Sequence, residues 1–380
     1  MHLLCVLLAL VFASCAIGAS SGTAHCGARE GMRRFIVQRL QRRMRSLCAL
    51  LALAFASSAS AAAISGAAHY AGREDVRLFI AQMVHRHGFD KKELHTLFSK
   101  ARFQPAIIKA ITPPAEPPAK SWQAYRALFL TPQRIEAGIE FRERHREVLA
   151  HAAGLYGVPE EIIVAIIGVE TSYGRNTGSY RVIDALSTLA FDYPPRAEFF
   201  RSELEQYLLY ARDAGIDAIG LKGSYAGAIG IPQFMPGSYR RYAVDLDGDG
   251  KQDLSGSFAD AIGSVANFLR AHGWKAGEPV AVAAQVQGEK YRELVDAGIK
   301  PIYRLSDFAD FGVSAGGEAP ADAPCALIEL QTPGEASAYL AAFNNFYVLT
   351  RYNRSSLYAA AVLELAQAVK SANTKKESAE

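Results

Sequence analysis

Cysteine is scarce in this 380-residue sequence, and almost all of it lies at one end. The five cysteines are at 5, 15, 26, 48 and 325. A chain processed after residue 61 keeps Cys325 alone, which excludes an intrachain disulfide. Excess charge is scarce too: 41 Lys+Arg face 38 Asp+Glu, a net +3. Residues 1–61 hold seven arginines and one acid, Glu30, so the rest of the chain carries −3. That removes the electrostatic case for nucleic acid, which needs a clustered basic face. Glycine and proline are at ordinary levels, so collagen-like and low-complexity architectures are excluded. Outside the leader no apolar run approaches the about 18 residues of a membrane span. What is abundant is core-forming material. Half the residues are hydrophobic and 21% are charged, which rules out global disorder. The length is a soft prior for two compact domains or one large one.

Residues 45–61 read as a secretory signal. Arg45 is the basic start, Leu47 to Phe55 the apolar stretch, and Ala59-Ser60-Ala61 the cleavage site. The preceding residues repeat this pattern. Cys5 to Ser14 matches Cys48 to Ser57, and Ser21-Gly22-Thr23-Ala24-His25 matches Ser65-Gly66-Ala67-Ala68-His69. A tandem duplication of the leader explains both matches, with Met44 as the candidate start. A soluble, exported, periplasmic protein is expected. A lipoprotein is the rival, on the approximate lipobox Phe12-Ala13-Ser14-Cys15 and a poorer one at Arg45-Ser46-Leu47-Cys48.

Helical patterns dominate the remainder. Val76, Phe79, Ile80, Met83 and Val84 recur at helical spacing within 73–87. Asp90 with Glu93 has the form of a capping box. Pro113 to Pro118 reads as a stiff linker. Thr131-Pro132 opens a long helix expected to run to Gly157. Segments 195–212, 258–272 and 355–371 also read as helices, with Gly273 as a stop. Short strands are expected at 279–282 and 326–330. The class is mainly α with a small β component.

The most informative stretch is 159–175. Pro159 suits the first helical turn, and Glu160 and Glu161 suit its positive end. Seven of the eight residues from 162 to 169 are Ile, Val or Ala, so this helix is apolar all round and should be buried. Glu170 then falls at its C-terminal end. Burial and the negative end of the helix dipole both raise a carboxyl pKa. A carboxyl still protonated near neutrality can protonate a glycosidic leaving oxygen. The competing reading is a surface glutamate after a core helix. A second stretch, 221–239, has glycines at 223, 227 and 230 that let backbone pass close to a ligand. Ser224 and Gln233 within it add groups suited to sugar hydroxyls or an acetamido group.

A third stretch begins Asp245-Leu246-Asp247-Gly248-Asp249-Gly250-Lys251. It fits an EF-hand loop, with Asp245, Asp247 and Asp249 as carboxylate ligands and Lys251 offering its carbonyl. Gly256 stands where the closing glutamate would be. The competing reading is a solvated acidic turn. A structural calcium ion is the expected occupant.

Taken together, Ile166-Ile167-Gly168-Val169-Glu170-Thr171, Gly174-Arg175, Asp184-Ala185-Leu186, Tyr193-Pro194, the Leu221–Tyr239 run and Asp260 to Asn267 resemble the lytic murein transglycosylase B family. The resemblance covers about 122–274 and resumes at 346–358. It implies a lysozyme-like helical catalytic core and an additional helical subdomain. It also implies cleavage of the MurNAc–GlcNAc bond of peptidoglycan to a 1,6-anhydro-MurNAc end, with no catalytic cofactor. The family's catalytic glutamate falls on Glu170. Its glycan contacts fall on Tyr125, Arg196, Ser224, Gln233, Phe234, Met235, Tyr352, Asn353 and Tyr358, and its loop-closing carboxylate on Asp260. Pro195, Phe199 and Phe268 depart from better-known members, which bears on peptide-stem preference rather than chemistry. A single acid suffices if the substrate's own C6 hydroxyl is the nucleophile, although Asp184 and Glu198 remain candidates for a second carboxylate. The rival functions are a lysozyme-type hydrolase and a non-catalytic wall-binding protein. The expected layout is a leader at 1–61, a helical segment and linker at 62–118, a catalytic core at 119–275, a C-terminal part at 276–372 and a disordered tail at 373–380. The expected partners are peptidoglycan strands and wall-synthesis proteins, with the chain a monomer that binds no nucleic acid.

Overall fold

The computed structural model describes residues 70–113 and 121–377, with side chains to 372. The duplicated leader and most of the proline-rich linker lie outside the described residues. Three helices come first: α1 (Glu74–His87), α2 (Lys91–Lys100) and α3 (Pro105–Ile111). The Asp90 carboxylate caps α2 by accepting from the Lys92 and Glu93 N–H groups at 2.8 and 2.9 Å. Phe79 and Phe98 meet Phe191 edge-on, and the Tyr70 hydroxyl donates to Asp192 at 2.7 Å. The N-terminal helices therefore clamp onto the helix that carries Phe191.

The central helices are α4 (Trp122–Ala127), α5 (Pro132–Arg144), α6 (Arg146–Tyr156) and α7 (Glu160–Thr171). The single helix expected from 131 to 157 is two, broken at His145. The His145 ring is held between Phe141 and Phe258, at 4.5 and 4.8 Å, and its backbone leaves the helical region. Tertiary packing of the ring overrides the continuous helical pattern. Gly157 ends α6 in the left-handed conformation, as expected. Pro159 precedes the first turn of α7 rather than opening it. Residues 162–168 are all buried, so α7 is the axis around which α5, α6 and the last helix pack. Each fully buried Ile or Val there contributes about 1.5–3 kcal/mol of transfer free energy.

Next come β1 (Tyr180–Arg181), α8 (Val182–Asp192), α9 (Ala197–Asp213), β2 (Lys222–Gly223), α10 (Pro236–Tyr242) and α11 (Phe258–Ala271). β1 and β2 pair antiparallel, Tyr180 opposite Gly223. Gly178 lies against this ribbon; a Cβ there would meet the Gly223 backbone at 2.1 Å.

The β component is larger than the two strands expected. It comprises β3 (Ala281–Val286), β4 (Tyr303–Arg304), β5 (Val313–Ala315), β6 (Pro324–Leu330) and β7 (Ala338–Ala342), with a short helix α12 (Arg292–Asp296). The sheet is antiparallel in the order β4-β6-β7-β3-β5. Tyr291, Leu294, Phe308, Cys325, Leu327 and Phe343 form a small core beneath it. The sequence hides β7 because its Ala-rich stretch lacks β-branched alternation. The sheet holds segments on both sides of it in the chain. It leads into α13 (Asn344–Tyr352) and α14 (Ser356–Glu377), and the Gln331 carbonyl accepts the Trp122 N–H at 2.7 Å, fixing the start of α4. The buried Asn345 amide bonds Lys275 and Glu278 backbone groups at 2.8–2.9 Å. The final helix runs to Glu377, past the Ser371 end expected for it and into the stretch expected to be disordered.

Candidate active site

Glu170 is the penultimate residue of α7. Its carboxyl is pushed up to about 7 from 4.5, chiefly because burial penalises the charged form. The Tyr358 hydroxyl donates to Glu170 Oε1 at 2.7 Å and works in the opposite direction, favouring the carboxylate. Burial wins. The proton is held near neutrality, and one donor is in place to receive the charge once the proton leaves.

Three tyrosines surround this group. Tyr358 from α14 lies parallel to Tyr352 at 6.4 Å. The Glu170 charge raises the phenol pKa values of Tyr125, Tyr352 and Tyr358, after burial does, and Tyr358 touches the carboxyl. The Tyr352 hydroxyl donates to the Pro232 carbonyl at 2.6 Å. Neither Asp184 nor Glu198 acts on the Glu170 proton. Asp184 is buried and committed to Arg181 and the Arg102 N–H, at 2.7–2.9 Å. Glu198 is exposed on α9. Among the described residues no carboxylate contributes to the shift at Glu170.

The chain after Glu170 turns in an unusual way. Ser172, Tyr173 and Gly174 all have positive φ, 50°, 64° and 82°. Two of these are not glycine, and such strain costs about 1–3 kcal/mol per residue. Side chains hold it. Thr171 Oγ1 accepts the Gly174 N–H and donates to the Ile231 carbonyl, both at 2.9 Å, with the Ile167 carbonyl a longer second acceptor at 3.3 Å. The Tyr173 hydroxyl donates to the Arg134 carbonyl at 2.9 Å. It fits between Gly138 and Gly168, where added Cβ atoms would lie 2.5 and 2.6 Å from it. Nothing in the sequence marked Tyr173 or Arg134, because the fit is made by glycines on two helices.

The glycine-rich stretch sets the polarity of two further groups. Ser224 Oγ accepts the Ala226 and Ala228 N–H groups at 3.3 and 3.0 Å, leaving its own O–H as a donor. Gln233, at φ 50°, donates its amide N–H groups to Thr177 and Gly230 carbonyls at 3.1 and 2.8 Å. Its carbonyl oxygen is left as an acceptor. Phe234 does not face a ligand with its ring: it is 2% exposed and packs against Phe268 and Tyr352. Met235 is half-buried beside it. Arg196 and Asn353 are exposed, and the Arg196 guanidinium lies 4.5 Å from the Phe199 ring centre.

In the 245–260 loop the Asp245, Asp247 and Asp249 carboxylates each offer an oxygen within 4.8 Å of the others. Gly250 makes the sharp turn at φ 85°. This all-oxygen donor set, with the Lys251 carbonyl, suits a hard divalent cation. The Asp260 carboxylate is buried and accepts the Leu246 and Asp253 N–H groups at 2.9 and 2.8 Å, which fastens the loop, and the charges of Asp247 and Asp245 act on it.

A lysozyme-like helical core with a carboxyl raised towards neutrality beside a tyrosine hydroxyl defines the class: a glycan-cleaving enzyme. The comparisons agree. Residues 71–367 match the transglycosylase SLT domain model. The chain is 43% identical over 296 residues to membrane-bound lytic murein transglycosylase B of Escherichia coli K12, covering 76% of this chain and 80% of that one. It is similar to the catenated lytic transglycosylase SltB1 from Pseudomonas aeruginosa (46% identity, TM-score 0.76, 80% of this chain and 99% of that chain). Escherichia coli Slt35 in complex with calcium matches at 41% identity and TM-score 0.71, over 79% and 94% of the two chains. SltB3 from Pseudomonas aeruginosa, in complex with NAG-anhNAM-pentapeptide, matches at 32% identity and TM-score 0.69, over 78% and 79%. The chain belongs to the transglycosylase SLT family and is a lytic murein transglycosylase, a peptidoglycan-cleaving lyase.

The raised pKa of Glu170 has a consequence for stability. The folded chain binds this proton more tightly than the unfolded chain, so the contribution is complete below pH 4.5 and is lost as pH rises through about 7. Glu170→Gln, neutral at every pH, is expected to melt with the wild type at pH 4. At pH 8 it should melt roughly 6–12 °C higher, equivalent to about 3 kcal/mol. Calorimetry at the two pH values checks this; an equal shift at both would contradict it.

Proposed function

We propose that Glu170 acts alone, first as general acid and then as general base, on the bond between MurNAc C1 and the GlcNAc O4. The observation that carries this reading is one carboxyl held protonated near pH 7 with no other acid perturbing it. Standard glycosidases set two carboxylates across the bond. With one, the protonated Glu170 gives its proton to O4 as the C1–O4 bond breaks. Its carboxylate, steadied by the Tyr358 hydroxyl, then takes the proton of the MurNAc C6 hydroxyl as O6 bonds to C1. The product is a 1,6-anhydro end, Glu170 regains its proton, and no water is consumed. The attack is intramolecular, so proximity supplies much of the rate.

In this reading Tyr125, Tyr352 and Tyr358 line the cleavage point. The Ser224 hydroxyl donates to an acetamido carbonyl, and the Gln233 oxygen accepts from a sugar hydroxyl or amide N–H. Met235 borders the sugar, Phe234 braces Tyr352 from behind, and Arg196 and Asn353 take outlying contacts. Asp245, Asp247, Asp249 and the Lys251 carbonyl hold a structural Ca²⁺, with Asp260 fastening the loop. The chain works as a soluble periplasmic monomer on peptidoglycan strands, exported by residues 45–61 and meeting wall-synthesis proteins there.

Glu170→Gln is expected to lower turnover of purified sacculi by about 10² to 10⁴-fold or more. Mass spectrometry of wild-type digests should show ends one water lighter than hydrolysis products and resistant to borohydride. Predominantly reducible ends would place the chain with the hydrolases instead. Millimolar Ca²⁺ should raise the melting temperature of the wild type, and Asp245→Ala or Asp249→Ala should abolish that gain while activity persists. Indifference to both Ca²⁺ and chelator would make the loop a simple turn. The mass of the mature chain should begin at Ala62; a lipid-modified cysteine would establish the anchored form.

A further inference from the structure

We infer that the Thr171 hydroxyl is a positioning group that sets the distance between the acid and the bound glycan. It rests on the reading of Glu170 as the acid. Glu170 belongs to α7, while Tyr352 and Gln233 are fixed to the 230–233 segment of the glycine-rich stretch. Tyr352 donates to the Pro232 carbonyl at 2.6 Å, and the Gln233 amide donates to the Gly230 carbonyl at 2.8 Å. The neighbouring Ile231 carbonyl accepts from Thr171 Oγ1 at 2.9 Å. The residue next to the acid is therefore hydrogen-bonded to the same four-residue segment that holds two groups placed on the glycan.

The same oxygen also holds the turn behind the acid. It accepts the Gly174 N–H at 2.9 Å, and the Thr171 carbonyl accepts the Asn176 N–H at 3.0 Å. Thr171 is 1% exposed, so no solvent competes for these bonds. Ile231 is secured from the other side, its N–H donating to the Leu254 carbonyl at 2.8 Å. A Cβ at Gly230 would lie 2.4 Å from that same carbonyl oxygen, so the segment has little room to shift. The movable partner is the end of α7. Without the hydroxyl, the left-handed turn and the Ile231 carbonyl lose their shared partner, and the carboxyl moves relative to a sugar whose own contacts are unchanged. That predicts a loss in kcat with binding preserved. Misplacement on the order of 1 Å costs about 100-fold in such reactions.

The test compares Thr171→Val and Thr171→Ser with the wild type on a soluble murein fragment, at a temperature where all are folded. Thr171→Val is expected to lose about 10- to 100-fold in kcat while KM stays within about twofold. The descending limb of its pH profile should stay where it is, and Thr171→Ser, which keeps the oxygen, should restore kcat. The split between kcat and KM is the readout, because a purely structural role would lower the melting temperature without producing it. If Thr171→Val does not fold, Thr171→Ala takes the same measurement, because its vacated space admits a water to the two stranded backbone groups. A folded hydroxyl-less variant with wild-type kcat overturns the inference. So does a loss that appears in KM, or one that serine fails to restore. Glu170→Gln separates the two layers: if it retains activity, the acid assignment fails, whereas an inactive Glu170→Gln beside an unimpaired Thr171→Val defeats only the role given to Thr171.

Discussion

Removal of water from one carboxyl is the constraint on which the rest of the site depends. A glutamate in water ionises well below neutrality and cannot protonate a sugar oxygen at pH 7. Here residues 162–168 of α7 are buried, and Glu170 follows at the helix end, half-buried, with its carboxyl withdrawn from water. Its proton is held to about pH 7 by that burial, against the pull of the Tyr358 hydroxyl. The apolar helix thus contributes twice: it anchors the core, and it raises the pKa of the carboxyl at its end.

The remaining architecture delivers partners to this point from distant parts of the chain. The glycine-rich stretch is fastened to α7 through Thr171 and to the acidic 245–260 loop through the Leu254 carbonyl. The C-terminal sheet fixes the start of α4, which carries Tyr125, and leads into the two helices that carry Tyr352 and Tyr358. The long-range connections explain why the site is assembled from segments about 230 residues apart in sequence. Backbone strain is concentrated in the turn after Glu170, where Ser172 and Tyr173 are held left-handed by side-chain bonds, and recurs at Gln233 in the glycine-rich stretch.

Much of this was legible in the sequence because it is written in local patterns. The apolar run before Glu170, the cap at Asp90, the stop at Gly157 and the acidic triplet Asp245, Asp247 and Asp249 each act within a few residues. What was not legible depends on contacts between segments. The His145 break arises from a ring trapped between Phe141 and Phe258. The burial of the Phe234 ring comes from packing on α11 and α13. Asp260 is taken up by backbone N–H groups whose positions only the folded loop creates. Ser224 and Gln233 were recognisable as polar groups, but their polarity, donor for one and acceptor for the other, comes from hydrogen bonds made to their own surroundings.

The central claim, that Glu170 holds its proton near neutrality, is most directly tested by the infrared absorption of that carboxyl. The difference spectrum between the wild type and Glu170→Gln isolates its protonated carbonyl stretch, which is followed through a pH titration. The account predicts a band that persists through about pH 6 and disappears with a midpoint near 7. Disappearance with a midpoint near the ordinary 4.5 would contradict it.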